Sequence, residues 1–166
     1  MNYERRTLPS ELESRAIGNG RRLITGYAYI FDALSEPLGG FRERIMAGAG
    51  AESIVVDDIR ALWDHDPKLI LGRTTSGTLR LAEDSLGLHY EVEADERQSY
   101  VRDLLIALER GDVSQSSFGF RANPDGDSWS LSDDGYTPLR SVHSLSLFDV
   151  SPVTYPAYLS STSAAY

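Results

Sequence analysis

A histidine stands between two acids and a proline in the sequence WDHDP, residues 63–67. The motif separates two apolar runs, at 59–63 and 69–71. Histidine is the side chain best suited to exchanging a proton near neutral pH. The end of a core strand would present His65 at a rim that a substrate could reach. His65 is therefore a candidate general base, and a loop histidine with a purely structural role is the alternative.

The other two of the three histidines fit structural roles more readily. His89 alternates out of phase with Leu88 and Tyr90, which predicts a solvated strand face. His143 lies in the strand-like run 139–153 and is in phase with Asp149. A partly buried histidine with a local hydrogen bond would explain that position.

The sequence SQSSFGF, residues 114–120, offers a candidate nucleophile. On an extended strand Phe118 and Phe120 share one face, and Ser117 and Gly119 share the other. If the phenylalanines face the core, the glycine leaves room beside Ser117 for a substrate backbone. Serine becomes a nucleophile when an adjacent base, itself oriented by a third group, removes its proton.

These residues together are compatible with a serine hydrolase. His65 would be the base, and Asp149 or His143 the third member. Ser, His and Asp are common, however, and the chain has no GxSxG elbow. Spacing alone does not choose Ser117 over Ser114 or Ser116.

A metal-dependent hydrolase is a second interpretation, with His65 joined by Asp64, Asp66 or His143. Successive side chains of a strand point in opposite directions, so the consecutive Asp-His-Asp residues could not all converge on one ion. We therefore expect no metal and no other cofactor.

The periodicity of the chain is mostly that of strands. Alternating apolar residues predict strands at 22–31 and 139–153 and a strand pair at 76–94. The segment 97–110 differs, because Val101, Leu104, Leu105 and Leu108 are spaced as on one face of a helix that would stop at Gly111. The sequence predicts a mainly β, α+β fold: a mostly antiparallel β-barrel with one or two packed helices.

The composition of the chain excludes several classes of protein. The 166 residues carry a net charge of −9, which disfavours binding to nucleic-acid phosphates. The chain has no cysteine, hence no disulfide or thiolate chemistry. No apolar run approaches the ~20 residues that span a bilayer, and the polar N-terminus does not resemble a secretory signal. We expect a soluble, intracellular single domain over 1–166, with a flexible segment over 1–20.

Four blocks in order, GYAYIFD, RALWDHDPKLILGRTTSGTLRLAEDSLGLHYEVE, ALERGDVSQSSFGF and LFDVSPVTYPAY, resemble the prohead proteases of tailed bacteriophages, which are capsid maturation serine peptidases. The resemblance covers about Gly26 to Tyr158. It implies that His65 is the general base and that Ser117, directly before FGF, is the nucleophile.

The resemblance leaves two candidates for the third member of the triad. An acid before the VS-VT-PAY ending matches Asp149. The family is similar in fold to the herpesvirus maturation proteases, which use a second, late histidine, and His143 lies roughly where that residue would be. Asp149 is the favoured candidate and His143 the alternative.

The resemblance also implies a biological setting. The substrates would be capsid precursor and scaffold proteins, cleaved in the host cytoplasm inside the assembling prohead, with self-cleavage and a homodimer as further expectations. No nucleic acid or membrane would be a partner. Residues 159–166 would be the remnant of a C-terminal tail. The rival hypothesis is a catalytically silent β-barrel that binds capsid or scaffold protein without cutting it.

Overall fold

A computed structural model describes residues 3–8 and 12–155. The described chain is mainly β, with helices α1 and α2. In chain order the elements are β1 Glu4–Leu8, β2 Glu13–Gly18, β3 Arg21–Ile30, β4 Arg42–Ile45, α1 Ser53–Val56, β5 Arg60–Trp63, β6 Asp66–Arg73, β7 Leu79–Glu83, β8 Gly87–Asp95, α2 Ser99–Arg110, β9 Gln115–Ala122, β10 Asp127–Leu131, β11 Pro138–Val142 and β12 Leu145–Val153.

The strands form three hydrogen-bonded sheets. Their orders are β1-β9-β12-β5-β6, β2-β3-β8-β7 and β10-β11-β4. Most neighbours are antiparallel, and the parallel pairs are β11 with β4 and β12 with β5. The sequence correctly predicts a mainly β, mostly antiparallel fold with helices. Over the described residues, however, the sheets do not close into a barrel.

Aromatic residues pack the first sheet against the second. Phe118 and Phe120 of β9 are 1% and 0% exposed, which agrees with the predicted core face of this strand. The Phe118 ring lies 5.0 Å from that of Tyr29 on β3. The Tyr90 hydroxyl of β8 lies 2.7 Å from Ser116 Oγ, so β9 is fixed by both apolar and polar contacts.

Helix α2 follows the predicted pattern. Val101 and Leu104 are fully buried, and Leu105 and Leu108 pack against the core as partly buried residues. Gly111 ends the helix in the left-handed conformation (φ 78°), which a residue without Cβ adopts at little cost. Among residues 3–8 and 12–155, no helix is both long and apolar enough to span a bilayer.

Two strands lie in the N-terminal region. Strand β1 pairs antiparallel with β9, and β2 pairs antiparallel with β3. Charged residues also attach β1 to other strands, because Arg6 binds Glu43 of β4 and Glu4 binds Arg140 of β11. Ion pairs between residues this far apart in the chain produce no periodic pattern, so the sequence does not predict them. The predicted tail remnant at 159–166 lies outside the described residues.

Candidate active site

Three buried side chains meet at one place: His65 from the turn between β5 and β6, Ser117 from β9 and Asp149 from β12. His65 Nε2 lies 2.7 Å from Ser117 Oγ, and His65 Nδ1 lies 2.5 Å from Asp149 Oδ2. Their exposed fractions are 8% for His65, 1% for Ser117 and 4% for Asp149. A nucleophile, a base and a group that orients the base must be hydrogen-bonded in this order for proton transfer from serine.

The hydrogen bonds also define the protonation of the ring. An ionised carboxylate can only accept, so His65 Nδ1 donates its proton to Asp149. In the neutral ring Nε2 then has a free lone pair, which can accept the Ser117 hydroxyl proton. This is the tautomer that a general base requires.

A tight turn presents His65. Asp64 and His65 link β5 to β6 and both have positive φ, 53° and 57°, as the central residues of a type I′ hairpin turn do. This conformation is uncommon for residues other than glycine and is often found at functional sites. Pro67 lies within β6, so the chain reverses at the Asp64-His65 turn and not at the proline.

Asp64 holds this turn in place. Its amide donates to the Pro152 carbonyl over 2.9 Å. Its carboxylate accepts from the amide and the hydroxyl of Thr154, over 2.7 and 2.9 Å. Asp64 therefore ties the His65 turn to the end of β12, the strand that carries Asp149, and offsets the strain of two left-handed residues.

Ser117 lies on β9 between β1 and β12. It pairs with Thr7 of β1 on one side and with Ser151 of β12 on the other. Besides facing His65, Ser117 Oγ lies 2.8 Å from the carbonyl oxygen of Arg6, which can accept its proton. The hydroxyl has a single proton, so Arg6 and His65 compete for it.

A bulge orients Asp149. The pairing of β12 with β9 shifts between Leu147 and Asp149, so that Phe148 is the extra residue. Asp149 lies opposite Gly119, and a Cβ added at Gly119 would overlap Asp149 Oδ1. The missing side chain thus makes room for the carboxylate, a role that differs from the predicted approach of a substrate backbone.

The remaining candidates lie elsewhere. His143 is exposed, and its Nε2 lies 2.9 Å from Ser128 Oγ of β10. Ser116 binds Tyr90, whose pKa is raised by burial so that its hydroxyl stays neutral. Ser114 is exposed and precedes β9.

The metal interpretation finds no support in the side-chain directions. Asp64 faces Thr154, while Asp66 Oδ1 accepts from the Lys68 amide over 2.9 Å. Over residues 3–8 and 12–155, no group of three or more His, Cys, Asp or Glu side chains could hold a metal ion.

Sequence reasoning missed two features of the site, namely Ser151 and the carbonyl of Arg6. Ser151 Oγ donates to Asp149 Oδ2 over 2.7 Å. The sequence does contain a signal for Ser151. Side chains two residues apart on a strand lie on the same face, so a serine two residues after Asp149 is placed beside its carboxylate. Nothing in the local sequence indicates that the Arg6 backbone reaches Ser117.

The hydrogen-bonded Ser-His-Asp arrangement on a mainly β fold is that of a serine hydrolase. The chain matches the model of the caudovirus prohead serine proteases over residues 10–165, and it belongs to that family. No curated protein and no solved structure matches it.

Proposed function

We propose that this protein is a serine endopeptidase in which Ser117 is the nucleophile, His65 the general base and Asp149 the third member of the triad. The observation that carries the proposal is the continuous chain of hydrogen bonds from Asp149 through His65 to Ser117. Membership of the prohead serine protease family supports it independently.

The reaction follows from this geometry. Ser117 Oγ attacks the carbonyl carbon of the scissile peptide while His65 Nε2 accepts its proton. The imidazolium is stabilised by the Asp149 carboxylate, and it returns the proton to the leaving amine. Water then hydrolyses the acyl-enzyme by the same proton route. Before attack, the Ser117 proton must lie towards His65 and not towards the Arg6 carbonyl.

The substrates we propose are capsid precursor and scaffold proteins of a tailed phage, cleaved inside the assembling prohead in the host cell. Family membership is the support for this assignment. We further propose that the protein cleaves itself. On the same basis, we propose that the fold is related to that of the herpesvirus maturation proteases.

The test is incubation of the cognate capsid precursor with the wild type and with Ser117→Ala, followed by mass spectrometry of intact proteins and fragments. Defined fragments should form with the wild type only. Labelling of Ser117 by a fluorophosphonate, and its absence in His65→Ala, would show activation by the histidine. A wild type that binds the precursor but neither cuts it nor reacts with the probe would be a silent assembly factor, and the proposal would be wrong.

A homodimer is part of the proposal. The apolar face of α2 is used within the chain, since Val101 and Leu104 are fully buried, so this face is not free for the contact. Ile106 of the same helix is 55% exposed and is available for a partner. Sedimentation at micromolar concentration should show a dimer that Ile106→Glu dissociates, and a wild type that is monomeric throughout would contradict this.

A further inference from the structure

Ser151 lies beside the proposed triad and is completely buried, with 0% exposure. Its Oγ donates over 2.7 Å to Asp149 Oδ2, the same oxygen that lies 2.5 Å from His65 Nδ1. Ser151 also faces Ser117 across the β9–β12 pairing. The Ser151 hydroxyl therefore contacts the Asp149 carboxylate. Among the described residues, it makes no hydrogen bond to Ser117 Oγ or to the His65 ring.

We propose that Ser151 is a positioning residue that fixes the Asp149 carboxylate against His65 during catalysis. This inference rests on the proposed function, because it concerns the efficiency of the same triad. It assigns a role to a residue that the three-residue triad does not include.

The physical argument concerns a buried anion. A carboxylate that is 4% exposed has lost nearly all its water and needs hydrogen-bond donors from the protein to hold it in place. His65 supplies one donor and Ser151 the second, both to Oδ2. The other oxygen, Oδ1, occupies the space left open at Gly119. Rotation of the carboxylate about its last bond would break both hydrogen bonds together.

The position of Ser151 distinguishes it from other buried serines. The Ser116 hydroxyl binds Tyr90, and the Ser141 hydroxyl accepts from Arg44 Nε over 2.9 Å. Both stabilise strand packing away from the triad. Ser141→Ala is therefore a matched control, since it also removes a hydrogen-bonded hydroxyl from a residue only 5% exposed.

Removing the Ser151 hydroxyl should lower the rate of the chemical step. A hydrogen bond to a charged group contributes about 1.5–3 kcal/mol, which corresponds to roughly a 10- to 100-fold effect on rate if it is needed in the transition state. The binding of the substrate should change little, because the completely buried Ser151 side chain is not at the surface that a substrate would contact. A role in packing alone would alter stability and leave the rate of the folded enzyme unchanged.

The experiment measures the maximal rate at which a fluorophosphonate labels Ser117, by intact-protein mass spectrometry, in full-length variants shown to be folded by thermal melts. Ser151→Ala should label about 10- to 100-fold more slowly at saturating probe, with a similar half-saturating concentration. Ser151→Cys, which keeps the volume but has only a weak S–H donor, should also be slow. Ser141→Ala should label at the wild-type rate.

A double-mutant cycle provides the decisive comparison. If Ser151 acts through the carboxylate, then in the Asp149→Asn background Ser151→Ala should slow labelling by less than about threefold, because the interaction is already lost. Equal slowing in both backgrounds, or a wild-type rate in Ser151→Ala or Ser151→Cys, would overturn the inference alone. Failure of the wild type to label at Ser117 would overturn the proposed function, and this inference with it.

Discussion

At the residue scale, the two candidates for the third member of the triad predict different mutant phenotypes. Asp149 Oδ2 lies 2.5 Å from His65 Nδ1, whereas His143 binds Ser128. The precedent of other triads indicates that Asp149→Asn should lower kcat by about 10⁴-fold, because an amide favours the wrong tautomer of the base and cannot stabilise the imidazolium.

The measurement is kcat on a capsid-precursor peptide, with folding of each variant checked by circular dichroism. His143→Ala is the matched variant and should keep most of the activity, since its ring lies outside the site. A crippled His143→Ala together with an active Asp149→Asn would show that a Ser-His-His arrangement operates instead.

A second residue-scale prediction concerns Gly119. In Gly119→Ala the new Cβ would overlap Asp149 Oδ1 and approach the Tyr3 ring to 3.1 Å. The carboxylate would have to move from His65, so we expect activity to fall by at least about 100-fold, the typical effect of misplacing a catalytic group by about 1 Å. Overpacking should also lower the free energy of unfolding by roughly 1–3 kcal/mol.

Urea denaturation of a double variant identifies the cause. Because Asp149→Ala removes the atoms that the new methyl group would overlap, adding Gly119→Ala in that background should cost clearly less stability than in the wild type. An equal cost in both backgrounds would mean that the Tyr3 contact, and not the carboxylate, makes glycine necessary.

The side chains of the proposed triad could be suggested from sequence, but the way they are held could not. The pattern SQSSFGF places Ser117 opposite a phenylalanine core face, and WDHDP places His65 after an apolar run. A two-residue turn with positive φ usually contains Asn-Gly or Asp-Gly, so Asp64-His65 gives no such signal. The turn depends on hydrogen bonds from Thr154, which is distant in sequence.

At the scale of strands and helices, β-bulges explain why the alternation of residues along a strand does not always identify its buried face. Alternation along β3 would place Tyr27 and Tyr29 on one face, but a register shift lies between them. Tyr27, before the shift, is only partly buried, whereas Ala28 at the shift and Tyr29 after it are fully buried. A bulge adds one unpaired residue and moves the following side chains to the other face. The predicted strand at 139–153 is divided into β11 and β12, and His143 lies between them. The shift before Asp149 is a further interruption, so simple alternation could not relate Asp149 to His143.

The attachment of β1 gives a third prediction. Glu43 is 2% exposed and binds Arg6 Nε over 2.8 Å and Arg140 Nη1 over 3.0 Å. Burial raises the pKa of its carboxyl group, and the Arg6 guanidinium opposes that rise. Glu43→Ala would remove the acceptor from both guanidinium groups, and breaking such a buried pair costs about 3–5 kcal/mol.

Chemical denaturation should therefore show a large loss of stability for Glu43→Ala. Glu91→Ala is the control, because Glu91 pairs with the half-exposed Arg80 at the surface, where such pairs contribute about 0–1 kcal/mol. Similar, small losses in the two variants would mean that β1 is held by its strand pairing and not by the ion pairs.

At the scale of the whole molecule, the sequence predicted the class of fold but not how the sheets are divided. Local periodicity identifies strands, and the FGF face identifies part of the core. The parallel contact of β12 with β5 joins Asp149 to Arg60 and so brings the His65 hairpin beside Asp149. This contact joins residues far apart in the chain and depends on how the sheets pack together. A short stretch of sequence does not contain that information.

The charge of the whole molecule leads to the last prediction, the loss of stability in acid. Hydrogen bonds from Arg73 lower the pKa of Asp58 to about 2, and those from Arg97 lower the pKa of Asp95 to about 2. Both values lie below the ordinary value of about 3.9 in an unfolded chain. The unfolded state therefore binds more protons between about pH 4 and pH 2, and stability contributed by these groups is lost as the pH falls through that window.

Glu43 acts in the opposite direction. Its pKa is raised on folding, so its contribution favours the folded state at low pH and is lost as the pH rises. Both aspartates are partly exposed, so screening reduces their contribution, and 1 M NaCl should weaken the acid-induced loss. In urea titrations at pH 5, 4 and 2.5, the midpoint of Asp58→Asn should fall less than that of the wild type. Asp103→Asn, at an exposed position on α2, should follow the wild type. If all three proteins lost stability in parallel and independently of salt, acid sensitivity would arise from buried groups and not from the Asp58–Arg73 and Asp95–Arg97 pairs.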